Sequence, residues 1–331
     1  IYILINIVRI MQINVAIMID IFSCFRYTFC ELYSRCMWQN GGITFMREKT
    51  VSILDRLFWT VQPPKGLIHG NYYHEEMRFA PSYEGAAGHL GAIDVVTDQG
   101  KLVMVEFHET CSPTYYTRMY QNADKRLSSY GFFQASKERT AKTGVVLANG
   151  FTSLEQQMLK ENRLTGSFQL VAGASNSLNR CMLPLAEKVA ARMDQPSNQK
   201  YYGLSKELEP GVTGRLQLVL QNGHIIKAFY DEIFADTPEE IVDPELKPYY
   251  RQSKYYSLEY CTPSGPGFNA LVDLLTAHII NTGQLLNLNG LPYTDPEHFS
   301  PIWKSYLLLA EELDRVLGED LALEKHETNS H

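Results

Sequence analysis

Residues 171–177 read Val-Ala-Gly-Ala-Ser-Asn-Ser and stand directly before the amphipathic stretch LNRCMLPLAEKVAARM (178–193). A Gly-containing turn that feeds a helix N-terminus gathers backbone N–H groups and hydroxyls at one point, which suits an anion and above all a phosphate. Gly173 lets the backbone approach closely, Ser175 and Ser177 supply hydroxyl donors, and Asn176 tolerates a strained turn. The same letters also describe a helix capped by Ser175 or Ser177. Other chemistry has no signature here: the chain lacks a GxSxG elbow, an HExxH pair, a Walker A loop and a GxGxxG turn. No pair of carboxylates stands out as general acid and base.

Composition narrows the field. With 331 residues, 45% of them apolar and 20% charged, the chain is long enough for two ordinary domains with buried cores. A formal net charge of -7 argues against nucleic acid or an anionic membrane surface as the main partner. Cys24, Cys30 and Cys36 are evenly spaced in a way that matches no usual zinc motif, and Cys111, Cys181 and Cys261 are scattered. Neither a metal site nor a disulfide framework is expected, and a reducing compartment is the simpler reading.

Residues 1–45 differ in character from the rest. They are rich in Ile, Tyr and Cys, but Asn6, Arg9, Gln12, Asn14 and Asp20 interrupt any membrane-length apolar window. Two readings stand: an over-extended N-terminus with Met46 as the true start, opening a short helix, or a genuine leader. A cytoplasmic location follows from the first and a membrane-anchored one from the second.

The positioning elements come as an internal repeat. GAIDVVTDQGKLVMVEFHE (91–109) matches GRLQLVLQNGHIIKAFYDE (214–232) at a constant offset, so Gly91 pairs with Gly214, Gly100 with Gly223 and Glu109 with Glu232. Both copies alternate apolar and polar residues around a Gln-Gly or Asn-Gly turn, which predicts a β-hairpin. Tyr72-Tyr73 matches Tyr201-Tyr202, and KRLSSY (125–130) is set against YRQSKY (250–255). Helices are predicted over 150–159 and 178–193, then over 267–276 and 300–317, with a strand-like segment between the members of each pair. The expected fold is α+β: two tandem units of an antiparallel sheet flanked by helices, spanning 46–194 and 200–318. A polar linker at 195–199 separates them, and 319–331 form a disordered tail.

These motifs resemble the FMN-binding domain of flavin-carrying subunits in sodium-pumping and Rnf-type electron-transfer complexes. The hairpin VVTDQGKLVMVEF, the His108-Glu109-Thr110 end and the Val171–Ser177 turn carry the likeness, over about 66–193; the second unit keeps only the hairpin and helices. The resemblance implies an electron carrier that binds FMN through His108, Glu109, Thr110, Gly173, Ala174, Ser175, Asn176 and Ser177. Ser175 corresponds to the hydroxyl that takes a phosphoester in the family. Gln169 and Ala172 depart from the attachment motif, as does Cys111-Ser112-Pro113 after Glu109-Thr110, so non-covalent FMN is the expectation. His108 would bond the ring or phosphate, Glu109 would accept from the ring N–H, and Thr110 reads as a turn residue. Lys125 and Arg126 are candidate phosphate cations and Tyr115, Tyr116 and Tyr130 candidate stacking rings; solvated cations and packing tyrosines are the ordinary alternatives. The implied partner is a redox protein or a small electron donor, with a homo-oligomer open. Two rivals remain: a binding or scaffold module that has lost flavin, and a small flavin reductase.

Overall fold

The structure, a computed structural model, describes residues 59–80, 88–136, 146–171, 174–195, 197–260 and 267–328. The Met46 helix, residues 1–45, Gly173, Ala172 and Cys261 lie outside the described residues. Among the described residues, six antiparallel strands make a single sheet with five helices, an α+β fold.

Strands β1 (Gly66–Phe79), β2 (His89–Asp98) and β3 (Lys101–Thr110) form one meander; β4 (Gln199–Glu209), β5 (Val212–Gln221) and β6 (His224–Phe234) form the other. The hairpin turns fall where the sequence places them. Gln99, Gly100, Asn222 and Gly223 all have φ between 47° and 78°. Two successive residues in that region give the turn whose twist matches paired strands. The pairings agree position for position. Gly91 faces Glu109 and Gly214 faces Glu232, and each hairpin carries a register shift at matching residues, Val96/Thr97 and Val219/Leu220.

The boundary at 195–199 does not divide two sheets. β1 pairs with β4 from Gly66↔Ser205 to Asn71↔Lys200, giving the order β3-β2-β1-β4-β5-β6. Joining the two meanders satisfies the backbone groups that each inner edge would otherwise expose.

Both sets of helices cover the same face. In the first half, α1 (Tyr130–Ser136) and α2 (Leu147–Glu161) are followed by a helical turn, Ser175–Ser177, and a π-helical turn, Leu178–Met182. These lead into α3 (Leu183–Arg192). Phe107, Ile93 and Val95 pack there against Phe151, Leu154, Leu178 and Leu185. In the second half α4 (Phe268–Thr282) and α5 (Pro301–Thr328) cover Leu216, Leu218 and Tyr230 with Val272, Leu275, Trp303 and Tyr306. Two expectations need correcting. No strand forms over 163–171, where Gln169 instead bonds sideways to Gln157, and α5 runs on to Thr328, well past 319.

The opposite face is rolled inward. Arg215 of β5 forms a two-pronged ion pair with Glu106 of β3, at 2.8 and 2.6 Å. A flat sheet would hold those strands about 19 Å apart, four strand spacings. The sheet therefore curls until its two halves meet. Tyr72, Val96, Met104, Tyr201 and Val219 fill the inside of the curl.

Candidate functional site

Of the eight residues expected to bind a ligand, Gly173 lies outside the described residues, and two of the other seven, His108 and Glu109, point to opposite faces of the sheet. Successive strand residues point to opposite faces, and His108 and Glu109 are neighbours on β3. His108 enters the curl, 3.6 Å from Glu106 and 3.7 Å from Asp124. Burial opposes its protonation, but the two carboxylates outweigh that and raise its pKa. Glu109 points into the helix layer, where Lys125 donates to its Oε1 at 2.6 Å. Both are sealed: Glu109 is 1% exposed and Lys125 4%. Arg126 is also buried and donates to Glu155 at 2.7 Å. Neither candidate cation is available to a phosphate.

The described part of the turn before α3 is packed at Ala174 and open at Ser175 and Asn176. Ala174 is buried, and a Cβ on Gly150 would come within 2.2 Å of its methyl group, so α2 lies directly against the turn. Ser175 and Asn176 face solvent while Ser177 is buried. Ala174 stands at the cap position with no side-chain cap bond, so neither serine caps the helix as the simpler sequence reading had it. Thr110 is bridged to Asp124. Tyr115 and Tyr130 belong to a packed cluster with Cys111 and Tyr120, and Tyr116 lies exposed over Tyr115. Burial drives the Cys181 thiol up to about 12, so it is inert. His89 accepts from the Ser112 N–H at 2.9 Å, and burial with Lys125 nearby lowers its pKa to about 3.

Four buried side-chain atoms among the described residues of this half have no hydrogen-bond partner: Trp59 Nε1, Arg126 Nε, Asn149 Oδ1 and the carboxylate oxygen Oε2 of Glu109. The corresponding carboxylate in the second half is complete: Lys254 donates to one oxygen of Glu232 and the Tyr230 hydroxyl to the other, at 2.7 Å. Position 230 matches Phe107, which has no hydroxyl to give.

Among the described residues, an open space lies in the second half. A pocket of about 930 Å³ is lined by Leu208, Glu209, Glu232, Lys254, Tyr260, Phe268 and Leu271 and, from the stretch before and into α5, by Tyr293, Asp295, His298–Ile302 and Ser305. Its size lies near the upper end of the usual ~300–1,000 Å³ for small-molecule sites. Four rings (Tyr260, Phe268, Tyr293 and Phe299) and the side chains of Leu208, Leu271 and Ile302 supply apolar walls. The Glu232–Lys254 pair and Ser300 and Ser305 supply the polar points. The sequence reading overlooked this pocket. Its signal was present only as a cluster of rings and hydroxyls in YTDPEHFSPIWKS, which matches no motif.

These walls fit the flat ring system of a flavin and not its phosphate. Lys254 is the pocket's one lysine and is committed to Glu232, while His298 is paired with Asp295 at 3.0 Å. Among the described residues no group of His, Cys, Asp and Glu could hold a metal ion, and no helix is long and apolar enough to cross a membrane.

No family model matches the chain, and no curated protein matches it. It is similar to one solved structure, the CPE2226 protein from Clostridium perfringens, at 20% identity and a TM-score of 0.30. The similarity covers 38% of this chain and 90% of that one. A likeness of that size decides neither fold nor function.

Proposed function

We propose that the protein is a flavin-binding electron carrier whose ligand ring lies in the second-half pocket. The observation that carries this reading is the coincidence of a roughly 930 Å³ space, four aromatic side chains and a few hydroxyls at one point. The sequence resemblance supports the ligand class and names FMN as its member. A bound flavin would itself supply the one- or two-electron chemistry. The chain's part is to orient the ring between aromatic walls and limit its contact with water. The buried Tyr230–Glu232–Lys254 set would fix polar groups at its edge.

The test is a titration of flavin fluorescence with the purified full chain, with absorbance after acid precipitation. Saturable quenching, with colour leaving in the supernatant, supports reversible binding. No quenching at high micromolar flavin overturns the reading. The scaffold reading, in which flavin has been lost, draws on a different observation: the sealed Glu109–Lys125 pair of the first half.

A further inference from the structure

Resting on that reading, we infer that the pocket selects an uncharged ring-and-polyol ligand, the dephosphorylated flavin type, over a phosphorylated one. Three carboxylates line it (Glu209, Glu232 and Asp295) against the single ammonium of Lys254, which is already bonded to Glu232. Glu209 and Asp295 are exposed and add their charge to the same space. A dianionic phosphate would enter a field of its own sign.

The two helix N-termini at the pocket offset this only in part. A helix start ordinarily favours an anion through its free N–H groups. Here Pro301 opens α5 without an N–H, and the Trp303 N–H is taken by the Ser300 carbonyl at 3.1 Å. On α4 the Ala270 N–H is taken by the Asn269 side chain at 2.9 Å. What remains suits hydroxyls: Ser300, Ser305 and the phenols of Tyr260 and Tyr293 can exchange hydrogen bonds with a polyol at no charge cost. Apolar rings against a neutral aromatic system complete the match.

The experiment is a paired titration of the full chain with riboflavin and FMN by fluorescence quenching, at low (about 50 mM) and high (about 500 mM) salt. Riboflavin is expected to bind at least about tenfold more tightly at low salt, with the gap narrowing at high salt. The double variant E209Q/D295N, at two exposed positions, should close most of the gap by improving FMN alone. FMN binding as tightly as riboflavin, or more tightly, overturns the inference and leaves the flavin reading standing. A gap unchanged in the double variant overturns the assigned cause. If neither flavin quenches, the flavin reading falls together with the inference.

Discussion

Glu109 and Glu232 hold the same place in the two halves, each at the end of a third strand and each against a lysine, yet their surroundings have diverged. The first pair lies under the helix layer with one carboxylate oxygen unsatisfied. The second has both oxygens bonded and borders an open pocket. Among the described residues, the recognisable letters sit in the first half and the described pocket borders the second. A motif describes a local turn, whereas a site also needs volume, and volume is set by how far the covering helices settle onto the sheet.

The largest effect should come from cutting the tie that keeps the halves together. Glu106 is held below the usual carboxylate range: burial would raise its pKa, but Arg215, His108 and Arg126 outweigh that. Glu106→Gln leaves two buried guanidiniums short of a partner, and a loss of about 3–5 kcal/mol is expected by chemical denaturation. A change under about 1 kcal/mol would mean the curl does not depend on this pair.

Next in size is a pH effect at matched inward positions. Asp231 on β6 corresponds to His108 on β3, and Ser253 to Asp124. Burial raises Asp231 to about 7 although Ser253 and two backbone N–H groups bond it. The folded state thus keeps a proton that the unfolded chain releases near pH 4. Stability from this group is present below about pH 4 and is lost as pH rises to about 7, by about 2–4 kcal/mol. Asp231→Asn should flatten that fall and be the more stable protein at pH 8; parallel profiles for the two proteins would refute the assignment.

A smaller contrast separates the two glycines beside the paired glutamates. A Cβ on Gly91 would lie 2.1 Å from Cys181 Sγ, inside the first half. On Gly214 the neighbour is the Leu208 side chain at 2.8 Å, and Leu208 borders the pocket into which it can swing. G91A should cost about 1–3 kcal/mol and be partly rescued by C181A, and G214A should cost under about 1 kcal/mol. Equal melting shifts would break the comparison. Smallest is the hydroxyl exchange: Tyr230→Phe removes a donor from buried Glu232 and should cost about 1–2 kcal/mol in denaturant midpoints. Phe107→Tyr offers one to Glu109 and should be neutral or mildly stabilising; a loss as large as that of Tyr230→Phe would mean the orphan oxygen is not accessible to it.

Much of the fold was legible. The Gln99-Gly100 and Asn222-Gly223 turns and the helix spacings are local signals, and local signals survive folding. The match of KRLSSY to 250–255 followed shared letters and was out of register. Backbone bonds set Lys125 against Lys254 instead, since the first N–H donates to Glu109 and the second to Glu232. The inward network of Glu106, Arg215, His108 and Asp124 was not legible, because it depends on strands that meet only once the sheet curls. His108 and Glu109 looked like one site because they are adjacent in sequence, and strand alternation sends them to opposite faces. The pocket escaped notice because its wall from Tyr293 to Ser300 is irregular chain with no periodic pattern, and only Pro301 to Ser305 belong to helix α5.

The most direct test of the central claim is to fill the pocket from two walls and measure flavin quenching. Ser305→Trp and Leu208→Trp each place an indole in the space, and denaturation midpoints report whether the variants remain folded. Loss of saturable quenching in both folded variants is the predicted result. Quenching retained in both, and lost instead in Ser175→Trp, would move the ligand to the first half and contradict the account.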